Sequence, residues 1–353
     1  MKSFMIYGAN GYTGKLITEY ALSRGLHPIV AGRSKSDINN LASQRNLEAR
    51  VFSLGGNISA HLKGVGLVLN CAGPFSATAR MMIDACVKSG VDYLDITGEI
   101  AVFEAAASRH NELVKSGIMV MPGVAFDVVP SDSISAHMKR RMPDATELTL
   151  SFKALDNSLA SASRGTSNTL MEAVGIGNKA RRSGKIKTVP FKSDTHWVDF
   201  GRFGKGKVSG LPWGDISTAY YTTGIPNITT YMDIPFIARF LYRAGNYFPG
   251  FWQSRAIQAY LKWIVSFFPE GPNPKANNSA SATILAEARN SSGKVIRSIL
   301  HTPGGYRLTT LSAVAIIERV LAGERQAGFV TPAGLFGPDM VLELDGVSRE
   351  DLT

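Results

Sequence analysis

Cysteine is nearly missing: Cys71 and Cys86 are the only two in 353 residues, too few for a disulfide scaffold or a cysteine-based zinc site. Long hydrophobic runs are missing too. No stretch reaches the ~18–20 apolar residues of a spanning helix; the densest, around Tyr260–Phe268, is interrupted by Lys262 and stopped by Pro269. At the start, the apolar run Phe4–Tyr7 is too short for a signal-peptide core, so the expectation is a cytoplasmic chain that does not span a membrane. Acidic residues are the scarcer charge, 28 against 38 Lys plus Arg, for a net charge of +10. That excess favours anionic ligands or surfaces, whether phosphates, acidic headgroups or an acidic partner. With 44% hydrophobic and 19% charged residues the composition is globular, and the length predicts about two domains.

The first part of the chain alternates strand and helix patterns. Phe4–Tyr7 is a short apolar run suited to a strand buried on both faces. Gly8, Gly11 and Gly14 then mark a turn, and from Lys15 the period changes: Leu16, Ile17, Tyr20 and Ala21 recur at helical spacing, with Gly25 placed as a C-cap. Further strands are predicted at Pro28–Ala31, Val51–Leu54, Leu67–Ala72, Tyr93–Thr97 and Ile118–Met121, and helices from Ser36, at Ala79–Val87 and at Val102–Val114. Repeated β-α units call for a doubly wound parallel sheet, an α/β Rossmann-type fold. After Pro130 the pattern becomes that of a half-wet strand at Leu148–Ala154 and a hairpin joining Thr283–Ala288 to Val295–Leu300, with helices at Thr166–Val174 and Leu311–Leu321, the latter capped by Thr309 or Thr310. This second part reads as an α+β domain with an open, mostly antiparallel sheet and helices on one face. The elements of Arg181–Tyr231 are not legible.

Gly8-Ala-Asn-Gly11-Tyr-Thr-Gly14 follows a strand and opens a helix, the context that gives a dinucleotide-binding turn its meaning. One glycine permits positive φ, a second lets a diphosphate approach the main chain, a third lets helix and strand pack. The anion then rests on unsatisfied N–H groups at the helix N-terminus. The spacing is one residue longer than the common pattern, and the motif is not a nucleoside-triphosphate P-loop. At the end of the second strand, where an acid would hold a ribose 2′-hydroxyl, the sequence is Ala31-Gly32-Arg33-Ser34-Lys35. A guanidinium with a neighbouring hydroxyl suits a 2′-phosphate, which selects NADP(H); the other reading of Arg33 is a solvated loop cation. Asn70-Cys-Ala-Gly-Pro-Phe75 ends the fourth strand with small residues that admit the nicotinamide-side ribose, and Cys71 reads as a small apolar residue.

Other absences narrow the chemistry. No Tyr stands four residues before a Lys, so the short-chain dehydrogenase dyad is missing. The six His are scattered without metal-ligand spacing, which predicts no metal site, and there is no G-x-S-x-G elbow. Asp127, in the segment leaving the last strand of the nucleotide domain, reads either as a group that orients nicotinamide or substrate or as a turn-stabilising Asp.

Tyr7-Gly-Ala-Asn-Gly-Tyr-Thr-Gly14, Ala31-Gly-Arg33, Asn70-Cys-Ala-Gly-Pro-Phe75, Pro122-Gly-Val-Ala-Phe-Asp127-Val-Val-Pro-Ser-Asp132 and Ser163-Arg-Gly-Thr166 together resemble the saccharopine dehydrogenase-like oxidoreductases, within them the trans-acting enoyl reductase group that serves polyketide synthases. The resemblance implies NADPH and a Rossmann domain formed by 1–131 plus 303–353, with an inserted substrate domain over 132–302. Carried over by residue, cofactor contacts fall on Gly8, Asn10, Gly11, Tyr12, Thr13, Arg33, Ser34, Ala72, Gly73 and Pro74, with Gly14 packing the helix. Arg164, Thr166 and Asp127 are the catalytic candidates, from their expected place at the cleft.

Between Ile234 and Phe268 there is no acidic residue, while Arg239, Arg243, Arg255 and Lys262 stand among about eleven aromatics. Phe236, Phe240 and Arg243 share one helical face; Ala256, Tyr260, Trp263 and Phe267 share another. Such helices can lie on a bilayer, line an acyl pocket, dock a partner or simply pack in a core. The dispersed basic charge and the lack of a motif argue against nucleic acid. The leading expectation is an NADPH-dependent reductase of an apolar enoyl or polyketide-like substrate, free or tethered to a carrier protein. The rivals are an imine or ketone reductase of saccharopine-reductase type and a peripheral lipid-surface protein that binds NADP without turnover. A homodimer stays open.

Overall fold

The computed structural model describes residues 3–155, 171, 174, 177–189, 195–234, 239–240, 244–245, 247–267, 271 and 279–352. The chain divides into two compact units, Met1–Val129 with Tyr306–Gly337 and Pro130–Gly305 with Pro338–Thr353.

In the first unit β1 (Ser3–Tyr7), α1 (Tyr12–Ser23), β2 (Ile29–Gly32), α2 (Lys35–Arg45), β3 (Ala49–Val51), β4 (Val65–Asn70), α3 (Phe75–Ser89), β5 (Asp92–Asp95), α4 (Ile100–Ser108), α5 (His110–Lys115) and β6 (Met119–Met121) follow one another. Phe4–Tyr7 and Leu67–Asn70 are fully buried, as strands covered by helices on both faces require. The expected helix over Val102–Val114 is two helices: Arg109, at φ −96° and ψ 6°, breaks it. Its guanidinium is held by Asp84 and Glu112. Helix α3 stops where glycine permits a left-handed residue, Gly90 at φ +65°.

The second unit begins in α6 (Val129–Arg141) and continues through β7 (Ala145–Ala154), β8 (Asn178–Arg182), β9 (Lys185–Val189), β10 (Thr195–Asp199), β11 (Lys205–Gly210), α7 (Asp215–Thr223), β12 (Asn227–Asp233), α8 (Pro249–Trp252), α9 (Arg255–Ser266), β13 (Ser281–Asn290) and β14 (Val295–Pro303). The chain then returns to the first unit with α10 (Gly305–Leu321), β15 (Gly328–Phe329) and α11 (Pro332–Phe336), and ends in β16 (Ser348–Leu352). Helix α10 starts before the expected cap: Thr309 lies inside it, where its hydroxyl accepts from Phe126 N at 3.1 Å.

The first sheet has seven parallel strands in the order β15-β6-β5-β4-β1-β2-β3. The chain runs outward from β1 through β2 and β3, then returns to β1's other side with β4, which makes the β1/β4 boundary the switch point where α/β sheets bind ligands. The second sheet runs β10-β11-β12-β7-β13-β14-β16, with β8 and β9 paired off β12. Its neighbours are antiparallel except β12 and β7. Among its described residues, the illegible Arg181–Tyr231 stretch holds part or all of five strands and α7. Short strands such as β9 and β10 bury little of themselves, so no strong alternation marks them.

Pro338–Thr353 departs from the expected grouping of 303–353, which put it with the nucleotide domain. It lies in the second unit because β16 pairs antiparallel with β14. Asp351 Oδ1 accepts from Ser298 Oγ at 2.6 Å and faces His137 Nε2 at 2.8 Å, while Asp339 takes a bidentate pair from Arg140 at 2.7 and 3.0 Å.

Candidate dinucleotide site

At the C-terminal edge of the first sheet the chain turns from β1 into α1 with Gly8 at φ +82°, a conformation that costs other L-residues about 1–2 kcal/mol. Gly8 N and Ala9 N both donate to Ala31 O, at 2.8 and 3.2 Å, which ties this turn to β2. A Cβ on Gly8 would stand 2.9 Å from Ala72 N, so the turn is pressed against the segment leaving β4. A Cβ on Gly14 would stand 2.3 Å from Gly8 O and 2.9 Å from Ala9 Cα, the close helix-strand contact that the third glycine permits. At Gly11 the position is different. Among the described residues beyond its chain neighbours and its own helix, only Gly8 O, at 3.3 Å, comes within 4 Å of an added Cβ, so a side chain there would fill the space over the turn. Gly11 is the N-cap of α1, and no side chain caps the helix and no acid occupies its first turn. A helix end left this way is an anion site.

After β2, Arg33 is exposed and makes no ion pair with any described residue. Its charge acts on the Tyr7 hydroxyl, whose pKa is raised by burial and drawn back by Arg33. Ser34 is the N-cap of α2, yet its side chain caps no backbone N–H; its Oγ lies 3.4 Å from Ser36 Oγ. Asn10 Nδ2 donates to Asp37 Oδ2 at 3.4 Å and places its Oδ1 3.1 Å from where a Gly32 Cβ would be. The turns after β1 and β2 are thereby joined.

The ends of β4, β5 and β6 are joined by buried polar groups. Asn70 Oδ1 accepts from Ala72 N at 3.0 Å, and its Nδ2 donates to Tyr93 Oη at 3.2 Å. Tyr93 Oη donates to Asp95 Oδ2 at 2.8 Å, and Asp95 Oδ1 accepts from Thr97 N and Gly123 N at 3.0 and 2.9 Å. Burial pushes the Asp95 carboxyl up to about 6, against the pull of those donors. Glu99 accepts from Phe75 N and Ser76 N at 2.9 and 2.8 Å, capping α3 from the next loop. Asp127 lies against that same loop: a Cβ on Gly98 would be 3.0 Å from its Oδ2. Desolvation pushes the Asp127 carboxyl up to about 6 as well. Desolvation also raises the Cys71 thiol far above neutral pH, so it is no nucleophile at rest.

The sequence-predicted residues are distributed as follows. Gly8, Asn10, Gly11, Tyr12, Thr13 and Gly14 form the β1–α1 turn and the first turn of α1; Arg33 and Ser34 follow β2; Ala72, Gly73 and Pro74 follow β4, with a cis peptide between the last two. Asp127 stands on the same edge beside Gly98. Arg164 and Thr166 lie outside the described residues, as do Phe236 and Arg243. Among the described residues no group of His, Cys, Asp and Glu could hold a metal. Sequence reasoning set Asn70, Asp95 and Glu99 at strand ends on this edge but missed the hydrogen bonds that they, Tyr93 and Asp37 make there, because the partners are two to 28 positions away and only strand order aligns them.

A parallel sheet with a glycine turn pressed on its switch point, an uncapped helix end and an open main-chain surface at Gly11 fits a dinucleotide diphosphate, and the class so defined is a Rossmann-type nicotinamide-dependent oxidoreductase. Residues 4–121 match the family described as "Saccharopine dehydrogenase NADP binding domain". The chain is 22% identical to a human saccharopine dehydrogenase-like oxidoreductase, over 96% of this chain and 94% of that one. It is 29% identical to a trans-acting enoyl reductase of Mycobacterium leprae over 39% of this chain and 35% of the relative. The saccharopine dehydrogenase (L-Glu forming) of Saccharomyces cerevisiae in its apo form shares the fold along 100% of both chains, at TM-score 0.64 and 12% identity.

Proposed function

We propose that the protein is an NADPH-dependent reductase of a C=C bond in an apolar enoyl or polyketide-like substrate. NADPH, when bound, supplies a hydride. The glycine turn and the α1 N-terminus hold its diphosphate, and Arg33 with the Ser34 hydroxyl takes the 2′-phosphate. The β-carbon of the substrate receives the hydride, and the electron pair of the double bond moves toward the carbonyl as an enolate. Asp127 then gives its proton to the α-carbon. The observation that carries this role is the Asp127 carboxyl at the sheet edge beside Gly98, raised to about 6 by burial, so that near pH 6 it can both hold and release a proton. Likeness to the enoyl reductase supports the double-bond substrate.

Deuterium from (4-²H)-NADPH tests the assignment. In an enoyl thioester product the label stands on the carbon β to the carbonyl. Label on a carbinol or amine carbon would assign ketone or imine reduction instead, the second reading, which the whole-chain likeness to a saccharopine dehydrogenase fold favours. For the acid, kcat/KM is expected to fall as pH rises through about 6, and Asp127→Asn to flatten that limb. An unchanged pH profile in Asp127→Asn assigns the proton to another group.

A further inference from the structure

We infer that the α8–α9 segment of the second unit is a docking surface for an anionic lipid bilayer, entered by aromatic side chains lying along its plane. Among the described residues seven of the eleven exposed large hydrophobic side chains fall between Phe240 and Phe267. Tyr260, Trp263 and Phe267 recur at three- and four-residue spacing on one face of α9, are 55%, 57% and 70% exposed, and touch one another, with ring centroids 5.8 Å and 5.0 Å apart. Tyr247, Phe248 and Phe251 extend the aromatic surface through α8.

This is the outward face of α9. The opposite side carries Val265, 2% exposed, and Gln258, whose Nε2 donates to Trp252 O at 2.9 Å and Met171 O at 3.3 Å. Ser254 caps the helix through Ile257 N. The helix is thus anchored by one face, and among the described residues nothing covers its aromatic face.

Charge selects the occupant. No acidic residue occurs from Ile234 to Phe268, and Arg255 is exposed beside the stripe. A second copy on the same face would set cation against cation in a chain of net charge +10, whereas anionic headgroups complement it. Tyr and Trp place an apolar body in the acyl region and a polar tip among headgroups. At roughly 18 Å, twelve residues of α9 are too short to cross a bilayer, and among the described residues no helix is long and apolar enough to do so.

Flotation of the full chain with vesicles decides it. The expected result is binding to phosphatidylcholine vesicles holding about 30% phosphatidylserine, weaker binding to pure phosphatidylcholine, and loss with added salt. Trp263→Ser with Phe267→Ser should lower partitioning by about tenfold or more, while NADPH binding persists and shows the variant folded. Trp197→Ser, on β10 and equally exposed at 67%, should bind as the wild type does. No flotation at low salt, or equal flotation of the double variant, overturns the inference. So does sedimentation in which the double variant converts a dimer to monomer while neither form floats, which would give the face to a second copy.

Discussion

In the proposed binding of NADPH, Arg33 and Gly14 would govern different terms. Arg33 is exposed and makes no ion pair with a described residue, so replacing it disturbs little of the fold. Arg33→Ala is expected to weaken NADPH by about 1–3 kcal/mol, a lost charge-assisted contact, and to leave NADH nearly unchanged. Calorimetry with both nucleotides reads this, and equal losses would remove Arg33 from the 2′-phosphate. Gly14 acts through the fold. Its added Cβ would meet main-chain atoms at 2.3 and 2.9 Å, and backbone cannot swing aside as a side chain can. Gly14→Ala is expected to destabilise the first unit by roughly 2–4 kcal/mol and to weaken both nucleotides alike; a urea melt and a titration separate it from Arg33→Ala.

Among the elements, β16 is the one whose place decides a boundary. It covers the outer edge of β14, and the segment before it sends Met340, Val341 and Leu344 into the core. Removal of 338–353 would expose that edge and strip Arg140 and Arg141 of Asp339 and Asp351. The expected outcome is loss of soluble, cooperatively folding second unit, seen by denaturant melting and gel filtration. Asp339→Asn is the milder test. Arg140 and Arg349 hold the Asp339 carboxyl well below the usual range, but its side chain is 53% exposed, so solvent screening limits the expected loss to about 1 kcal/mol.

For the molecule as a whole, these carboxyls pull the pH dependence of stability in opposite directions. Asp95 and Asp127 are raised to about 6. Between the ordinary carboxylate range and about 6, the folded chain keeps protons that the unfolded chain has released, so each makes folding less favourable as pH rises through that window. Asp339 is lowered; its stabilisation is present above the ordinary range and drains away as pH falls toward the folded value. Asp127→Asn is therefore expected to gain on wild type between pH 4 and pH 6, on the order of 1–3 kcal/mol by urea melts, with no further change above. A difference constant with pH would return Asp127 to an ordinary pKa.

The sequence alone determined the layout of the glycine turn and the elements around it, because its signals are local. Turn glycines, apolar runs and helical spacing act within a few residues, so β1, the Gly8–Gly14 turn, α1 and Arg33 after β2 were all readable in order. Only the tertiary structure decided what depends on strand order and distant partners. Arg109 splits a helix whose apolar spacing runs straight through it, and Thr309 serves Phe126 rather than a cap. The Asn70–Tyr93–Asp95 chain and the Glu99 cap exist because parallel pairing brings successive strand ends together. The last residues went to the second unit because β14 offered an unpaired edge with Ser298 beside it. Exposure was settled there too: the spacing of Tyr260, Trp263 and Phe267 marks one face of a helix, but which face the protein buries depends on what packs against the other.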